Sequence, residues 1–278
     1  MNVVAFGGLL FLTSVVAGLL GALTGLGGGV VIVPVLTLVF KVDIRYAIGA
    51  SLVSVIATSS GAAVAYVREG LSNIRIGMFL EVATTLGALL GAYLTSRLPG
   101  SWIAIVFGLV LLYSALVSIR GHDVHAVATT PGPLAAKLQL TGCYPEGGEM
   151  KKYAAERVPL GFGIMFGAGT LSGLLGIGSG AVKVLAMDNA MKLPFKVSTT
   201  TSNFMIGVTA AASAGVYLAR GYVDPLIATP VMLGVLCGAL IGTKMLVKSK
   251  PVTLRKLFGY VIILVGAEMI YNGIRGRL

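Results

Sequence analysis

Gly25-Leu26-Gly27-Gly28-Gly29 interrupts an apolar stretch running from Val3 to Phe40, and the interruption recurs 151 residues later as Gly176-Ile177-Gly178-Ser179-Gly180. Held at that offset without a gap, Lys41 pairs with Lys192, Ser51 with Ser202, Tyr66 with Tyr217, Gly87 with Gly238, Gly91 with Gly242 and Phe107-Gly108 with Phe258-Gly259. A register kept this long marks two copies of one module, each opening with the same break.

The composition sets the solvent. Of 278 residues, 56% are hydrophobic and 11% charged, and the mean hydropathy is +0.94, against roughly 25% charged in soluble domains. A hydrocarbon layer about 30 Å thick takes about 20 apolar residues per helix. Long runs are predicted at Val3 to Thr24, Ala47 to Val67, Ile76 to Ser96 and Trp102 to Ile119, and again at Val158 to Leu175, Val197 to Ala219, Pro225 to Val247 and Leu254 to Ile274. Val3 to Thr24 lacks a basic flank and a cleavage pattern, and reads as a retained membrane helix rather than a signal peptide. The second run of each copy, Val30 to Phe40 or Ala181 to Met191, has eleven residues, about 16 Å of helix or half a bilayer.

Each knot with its short run is either one broken span or a hairpin that returns to the side it left. Loop charges separate the two. With hairpins, one side of the membrane collects 6 loop and tail Lys and Arg residues and the other 14; with broken single spans the split is even. The excess of basic residues on cytoplasmic loops favours hairpins. A hairpin plus three spans crosses an odd number of times, so the copies lie in opposite orientations. The predicted fold is an all-α polytopic membrane protein of two inverted-topology repeats. Each repeat is a Gly-broken helical hairpin followed by three transmembrane helices. Residues 1–120 form the first repeat, 121–157 a linker loop and 158–278 the second repeat. Both termini are predicted periplasmic and the linker cytoplasmic.

The net charge of +11 is this loop bias, and nucleic-acid binding is not expected. Cys143 and Cys237 form no disulfide or zinc pattern. His122, Asp123 and His125 read as a solvated loop rather than a metal site. The linker carries Pro131, Pro133, Pro145 and Gly147-Gly148 and is too short for a domain, with a short amphipathic turn expected over Glu149 to Arg157. Cofactors are not expected. No nucleophile triad or phosphate loop is visible, which argues against an enzyme and against ATP-driven pumping.

Single glycines spaced three or four apart, such as Gly18, Gly21, Gly87, Gly91, Gly238 and Gly242, read as helix-packing positions. Adjacent glycines open the backbone, which in lipid is tolerated only inside protein or along a cavity. A helix restarting at the knot presents free amides and a positive dipole end, so Gly27, Gly28 and Gly29 with Gly178, Ser179 and Gly180 are the candidate anion site. Lys183, one turn after Ser179 and matched by Ile32, is expected to lean back over the knot; the alternative is a side chain reaching an interface. Ser51 and Ser202 are a matched pair, and Thr199 and Asn203 share a helix face that suits an oxyanion. Glu81, matched by Met232, is a proton-coupling candidate or a partner for a basic group. Asp188 and Glu268 read as interfacial. Arg45 and Lys196, in matching junctions, either draw anions in or anchor a helix.

The run from Gly25 to Pro34 and its counterpart from Gly173 to Gly180 resemble the two Gly-rich motifs of the sulfite exporter TauE/SafE family, a likeness that covers nearly the whole chain. The second motif departs with Ser179 for glycine, Lys183 for an apolar residue and Leu185 for proline. The resemblance implies a secondary transporter that exports sulfite, or an organosulfonate such as sulfoacetate, across the bacterial inner membrane. The alternatives are an uptake carrier or channel for thiosulfate or sulfate. A sulfur-transfer enzyme using Cys237 is a remote reading. A membrane potential negative inside favours anion exit by about 2.3 kcal/mol per charge per 100 mV. The partners implied are the anion and membrane lipid, with glycine faces that suit either one chain or a homodimer.

Overall fold

The computed structural model describes residues 3–24, 28–68, 72–120, 127–146, 149–248 and 251–276. Gly25, Leu26 and Gly27 of the first knot, and His122, Asp123 and His125, lie outside them.

The chain is an α-helical membrane protein. Its first copy contains α1 (Val3–Thr24), α2 (Gly29–Pro34), α3 (Ile44–Arg68), α4 (Ile74–Thr95) and α5 (Gly100–Arg120). Its second contains α7 (Val158–Leu175), α8 (Gly180–Leu185), α9 (Phe195–Ala219), α10 (Pro225–Lys248) and α11 (Pro251–Ile274). Among the described residues, four segments are long and apolar enough to cross a membrane: Ile74–Thr95, Val158–Leu175, Phe195–Ala219 and Pro225–Gly242.

The two copies agree bond by bond around the short helices. α2 and α8 each continue into a wide π-helical turn, Val35–Val39 and Ala186–Ala190. Each turn closes the same way, Phe40 N on Val35 O and Met191 N on Ala186 O, then Val42 N on Leu36 O and Leu193 N on Met187 O. Lys41 (φ 55°) and Lys192 (φ 56°) both take the left-handed conformation that ends the rod. Each rod folds back on the helix before it. The Phe40 ring meets Phe6, near the start of α1, at 5.8 Å, and Met191 covers Gly161, near the start of α7.

Glycine seams set the helix pairs. A Cβ on Gly87 or Gly91 of α4 would collide with the carbonyls of Phe166 or Thr170 on α7, and one on Gly169 or Gly173 with those of Thr84 or Ala88. Gly238 of α10 meets Val15 of α1 in the same way, and Gly18 meets Val235. Small residues thus let backbones touch where lipid provides no hydrophobic drive for association. Along both seams the numbering rises together, so α1 lies parallel to α10 and α4 parallel to α7. α5 and α11 run antiparallel, with Gly108 against Gly266 and Ile270, and Gly273 against Ser101 and Ile105. α3 and α9 do likewise, with Gly49 at Tyr222 and Gly207 at Ser59. Exchanging the copies maps this set of helix pairs onto itself.

The linker differs from the expected loop. It contains α6 (Pro133–Lys137) and the antiparallel strands β1 (Thr141–Glu146) and β2 (Glu149–Ala154), paired from Thr141 with Ala154 to Glu146 with Glu149. The segment read as an amphipathic turn is therefore mostly strand. Leu140, Tyr144, Tyr153 and Ala155 are buried in one cluster with Ile76 and Leu80 of α4, Met187 and Met191 of the second rod, and Val197 of α9. Burying that apolar surface outweighs the turn propensity of an isolated segment.

Candidate functional site

The backbone of the second knot is opened by three left-handed residues, Gly176 (φ 69°), Gly178 (φ 70°) and Ser179 (φ 45°). Two are glycines, for which the conformation costs little; Ser179 takes it without that freedom. Gly176 closes α7, its N–H bonded to Ser172 O at 2.8 Å, and Ser179 caps α8. Gly28 caps α2 with right-handed φ and ψ, so the two breaks differ in local geometry.

The structure brings the described parts of the two knots together. A Cβ on Gly29 would lie 2.8 Å from the Gly176 carbonyl and 2.6 Å from Ser51 Oγ. Val55 of α3 lies against both Gly29 and Gly178. Ser51 donates to Gly176 O at 2.8 Å, and Ser202 to Gly180 O at 3.3 Å. Gly28, Gly29, Ser51, Gly178, Ser179, Gly180 and Ser202 are all buried. Ser179 Oγ has no hydrogen-bond partner, with only 5% of the residue exposed.

Lys183 is fully buried at 0% exposure, so it does not reach an interface. Its ammonium points to α9 instead of back over the knot, with Nζ 2.6 Å from Thr209 Oγ1. Thr209 Oγ1 lies 2.7 Å from Glu81 Oε1, and Thr85 Oγ1 donates to the same oxygen at 3.1 Å. Glu81, 4% exposed, is thus joined to Lys183 through one hydroxyl, and its Oε2 is buried without a hydrogen-bond partner. Burying two opposite charges is tolerated when they compensate each other and are hydrogen-bonded.

Thr199, Asn203 and Asp188 land elsewhere than expected. Thr199 turns its hydroxyl back to the Phe195 carbonyl at 2.6 Å, and Thr199 and Asn203 are only partly buried. The buried face of α9 carries Ser198, Thr201, Ser202, Met205 and Thr209. Arg45 bonds the carbonyl of Thr95, at the end of α4, and that of Leu98, just beyond it, at 3.2 and 2.9 Å, and stacks over Tyr222, which is an anchoring geometry. Lys196 is exposed. Asp188, expected at an interface, is buried, because the π-helical turn carrying it packs on α7 and α9. Glu268 is exposed and borders an apolar pocket of about 200 Å³ between α2, α5 and α11. Among the described residues no cluster of His, Cys, Asp and Glu could hold a metal.

Sequence reasoning missed Thr209 and Thr85. The signal for Thr209 was its position seven residues, two helical turns, after Ser202; that for Thr85 was its position four after Glu81, on the same helix face.

Apolar spanning helices, two broken helices meeting in the interior and a buried charged pair beside one of them define a polytopic membrane transporter. The family described as sulfite exporter TauE/SafE matches residues 10–269, and the chain belongs to that family. It is 28% identical to the probable membrane transporter protein YunE of Bacillus subtilis (strain 168), over 96% of this chain and 98% of the relative. It is 29% identical to YdhB of the same organism, also a probable membrane transporter protein, over 84% and 86%. A probable membrane transporter protein of Xylella fastidiosa (strain 9a5c) is 28% identical over 92% of each chain. No solved structure matches the chain.

Proposed function

We propose that this chain is a secondary transporter exporting a small sulfur-containing anion, sulfite or an organosulfonate such as sulfoacetate, across the bacterial inner membrane. The observation that carries the anion reading is Lys183, fully buried beside the second knot. It stands one turn into α8, a helix whose first amides lack intrahelical acceptors, with its ammonium on the α9 side. Ser179 Oγ supplies a further unengaged hydroxyl at the knot. Gly28, Gly29, Gly178, Gly180, Ser51 and Ser202 form the rest of this site, with Gly27 assigned from its place in the motif. The sulfur assignment rests on family membership.

In this reading residues 1–120 and 158–278 are inverted repeats, joined by residues 121–157 on the cytoplasmic side, with both termini periplasmic. The antiparallel pairing of α3 with α9 and of α5 with α11 supports inversion. Two copies related by an axis along the helices would place matched helices parallel; an axis across them makes matched helices antiparallel. Transport follows from one repeat rocking against the other around the knots.

The test is flux of radiolabelled sulfite, sulfoacetate, thiosulfate and sulfate in proteoliposomes. Saturable sulfite or sulfoacetate flux that Lys183→Met abolishes is expected, and its absence refutes the sulfur-anion reading. Equal, unsaturable flux of every anion would make the protein a channel. Cys237→Ala is expected to keep the flux, since Cys237 is an exposed free thiol.

A further inference from the structure

We propose that Glu81 and the transported anion compete for the buried ammonium of Lys183, so that each anion bound brings one proton onto Glu81. This rests on the reading above, in which Lys183 serves the anion.

The geometry is a switch with one movable proton. Thr209 Oγ1 sits 2.6 Å from Lys183 Nζ, 2.7 Å from Glu81 Oε1 and 2.8 Å from the Met205 carbonyl. A hydroxyl has one proton to give, so it serves the carboxylate or the carbonyl but not both. With Glu81 ionised, the proton points to Oε1 and the hydroxyl oxygen accepts from Lys183, which leaves the buried pair neutral overall. An anion arriving at Lys183 adds a second negative charge to a site holding one positive charge. Uncompensated charge away from water is costly, and protonating Glu81 removes it. The vacancy for that proton exists: Oε2 is buried and bonded to nothing, whereas Oε1 accepts from both Thr85 and Thr209. Once Glu81 is neutral, the Thr209 proton turns to Met205 O, and Lys183 keeps two further N–H donors for the anion.

No other described charge stands in for this pair. α4 packs on α7, which carries no ionisable side chain, and on α9. On α9, Lys196 is exposed near the helix start and Tyr217 bonds Thr95, and Arg220, just past its end, bonds the Ala92 and Tyr93 carbonyls. On α4 itself, Arg75 bonds Gln139. Asp188, buried five residues beyond Lys183 on a rod that packs on α7, α8 and α9, is the acidic group on this element, and Asp188→Asn is the control that separates its contribution from that of Glu81. The matched positions of the other half are Ile32, Thr58 and Met232, so the exchange has one copy per chain and a stoichiometry of one proton.

The experiment is calorimetric titration of the purified full-length chain with sulfoacetate, in two buffers of different ionisation enthalpy and across pH 6 to 9. The sulfonate does not titrate in that range. Uptake of one proton per anion is expected, with Kd rising up to tenfold per pH unit. Glu81→Gln, which mimics the neutral acid, is expected to bind with no proton uptake and a flat pH profile. Binding without proton uptake by the wild type overturns the inference and leaves the transport reading standing. Proton uptake that persists in Glu81→Gln overturns the assignment to Glu81. No binding of sulfoacetate, sulfite or thiosulfate at any pH overturns the transport reading and this inference together. The wild-type arm decides even if the variant does not fold.

Discussion

Ser51 of α3 donates its hydroxyl to the carbonyl of Gly176 at 2.8 Å, so a helix of the first copy holds the helix break of the second. Both groups are buried. Replacing Ser51 with Ala leaves that carbonyl with one fewer donor, at a cost of about 1–3 kcal/mol for an unsatisfied buried group. Ser51→Ala is expected to lower the melting temperature in detergent and to slow anion flux, because the knot loses its tether. Unchanged stability would mean that water replaces the hydroxyl.

The same junction leaves no room at Gly29. A methyl group there would sit 2.6 Å from Ser51 Oγ and 2.8 Å from the Gly176 carbonyl, and the second contact is backbone that a rotamer change does not relieve. Overpacking of this kind costs about 1–3 kcal/mol. Gly29→Ala is expected to destabilise the protein and abolish flux. Gly8→Ala is the control, since nothing lies within 4 Å of its Cβ position, and it should match wild type in both assays.

Membrane class and helix content were legible because apolar run length answers directly to bilayer thickness. The packing glycines were legible from their spacing, and Gly87, Gly91 and Gly238 all meet backbone across a seam. Lys183 was recognisable as an interior lysine because a charge inside an apolar run has few places to go. Its partner was not: Thr209 lies 26 residues away and Glu81 102 residues earlier, and only the crossing of α4, α8 and α9 joins them. The linker strands were missed because Gly147-Gly148 was read as a breaker. In a sequence a Gly pair is equally a hairpin signal, and β1 and β2 pair with Tyr144 and Tyr153 buried on one face.

Tyr217 ties three helices from the interior. Its phenolic oxygen is 2.8 Å from Thr95 Oγ1 on α4 and 3.0 Å from the Gly173 carbonyl of α7, and the side chain is buried on α9. Tyr217→Phe keeps the ring packing and removes both bonds, so a loss of about 1–2 kcal/mol is expected. Thr95→Val removes the partner hydroxyl. The double variant should cost less than the sum of the two, because they share one network. Additive losses in chemical denaturation would show that the hydroxyls act independently.

Asn73 joins the linker to the membrane core. Its Oδ1 caps α4 by accepting from Ile76 N at 3.0 Å, and its Nδ2 donates to Tyr153 OH at 2.8 Å and to Thr141 O at 3.3 Å. Its own backbone N–H donates to Thr201 Oγ1 on α9 at 3.0 Å. Asn73→Ala loses the cap, about 1 kcal/mol, together with both linker bonds, so faster proteolysis within residues 127–157 is expected. Tyr153→Phe removes one bond only and should give a smaller effect. Burial raises the Tyr153 pKa above its ordinary value of 10.0, against the Asn73 hydrogen bond, which lowers it. A phenol whose folded-state pKa is raised contributes stability that is intact below the unfolded value and is lost as pH rises through the folded one. Linker protection should therefore be flat from pH 6 to 9 in the wild type and fall only above about 10. In Tyr153→Phe that alkaline loss should be absent, and a loss already under way at pH 8 would point to a different titrating group.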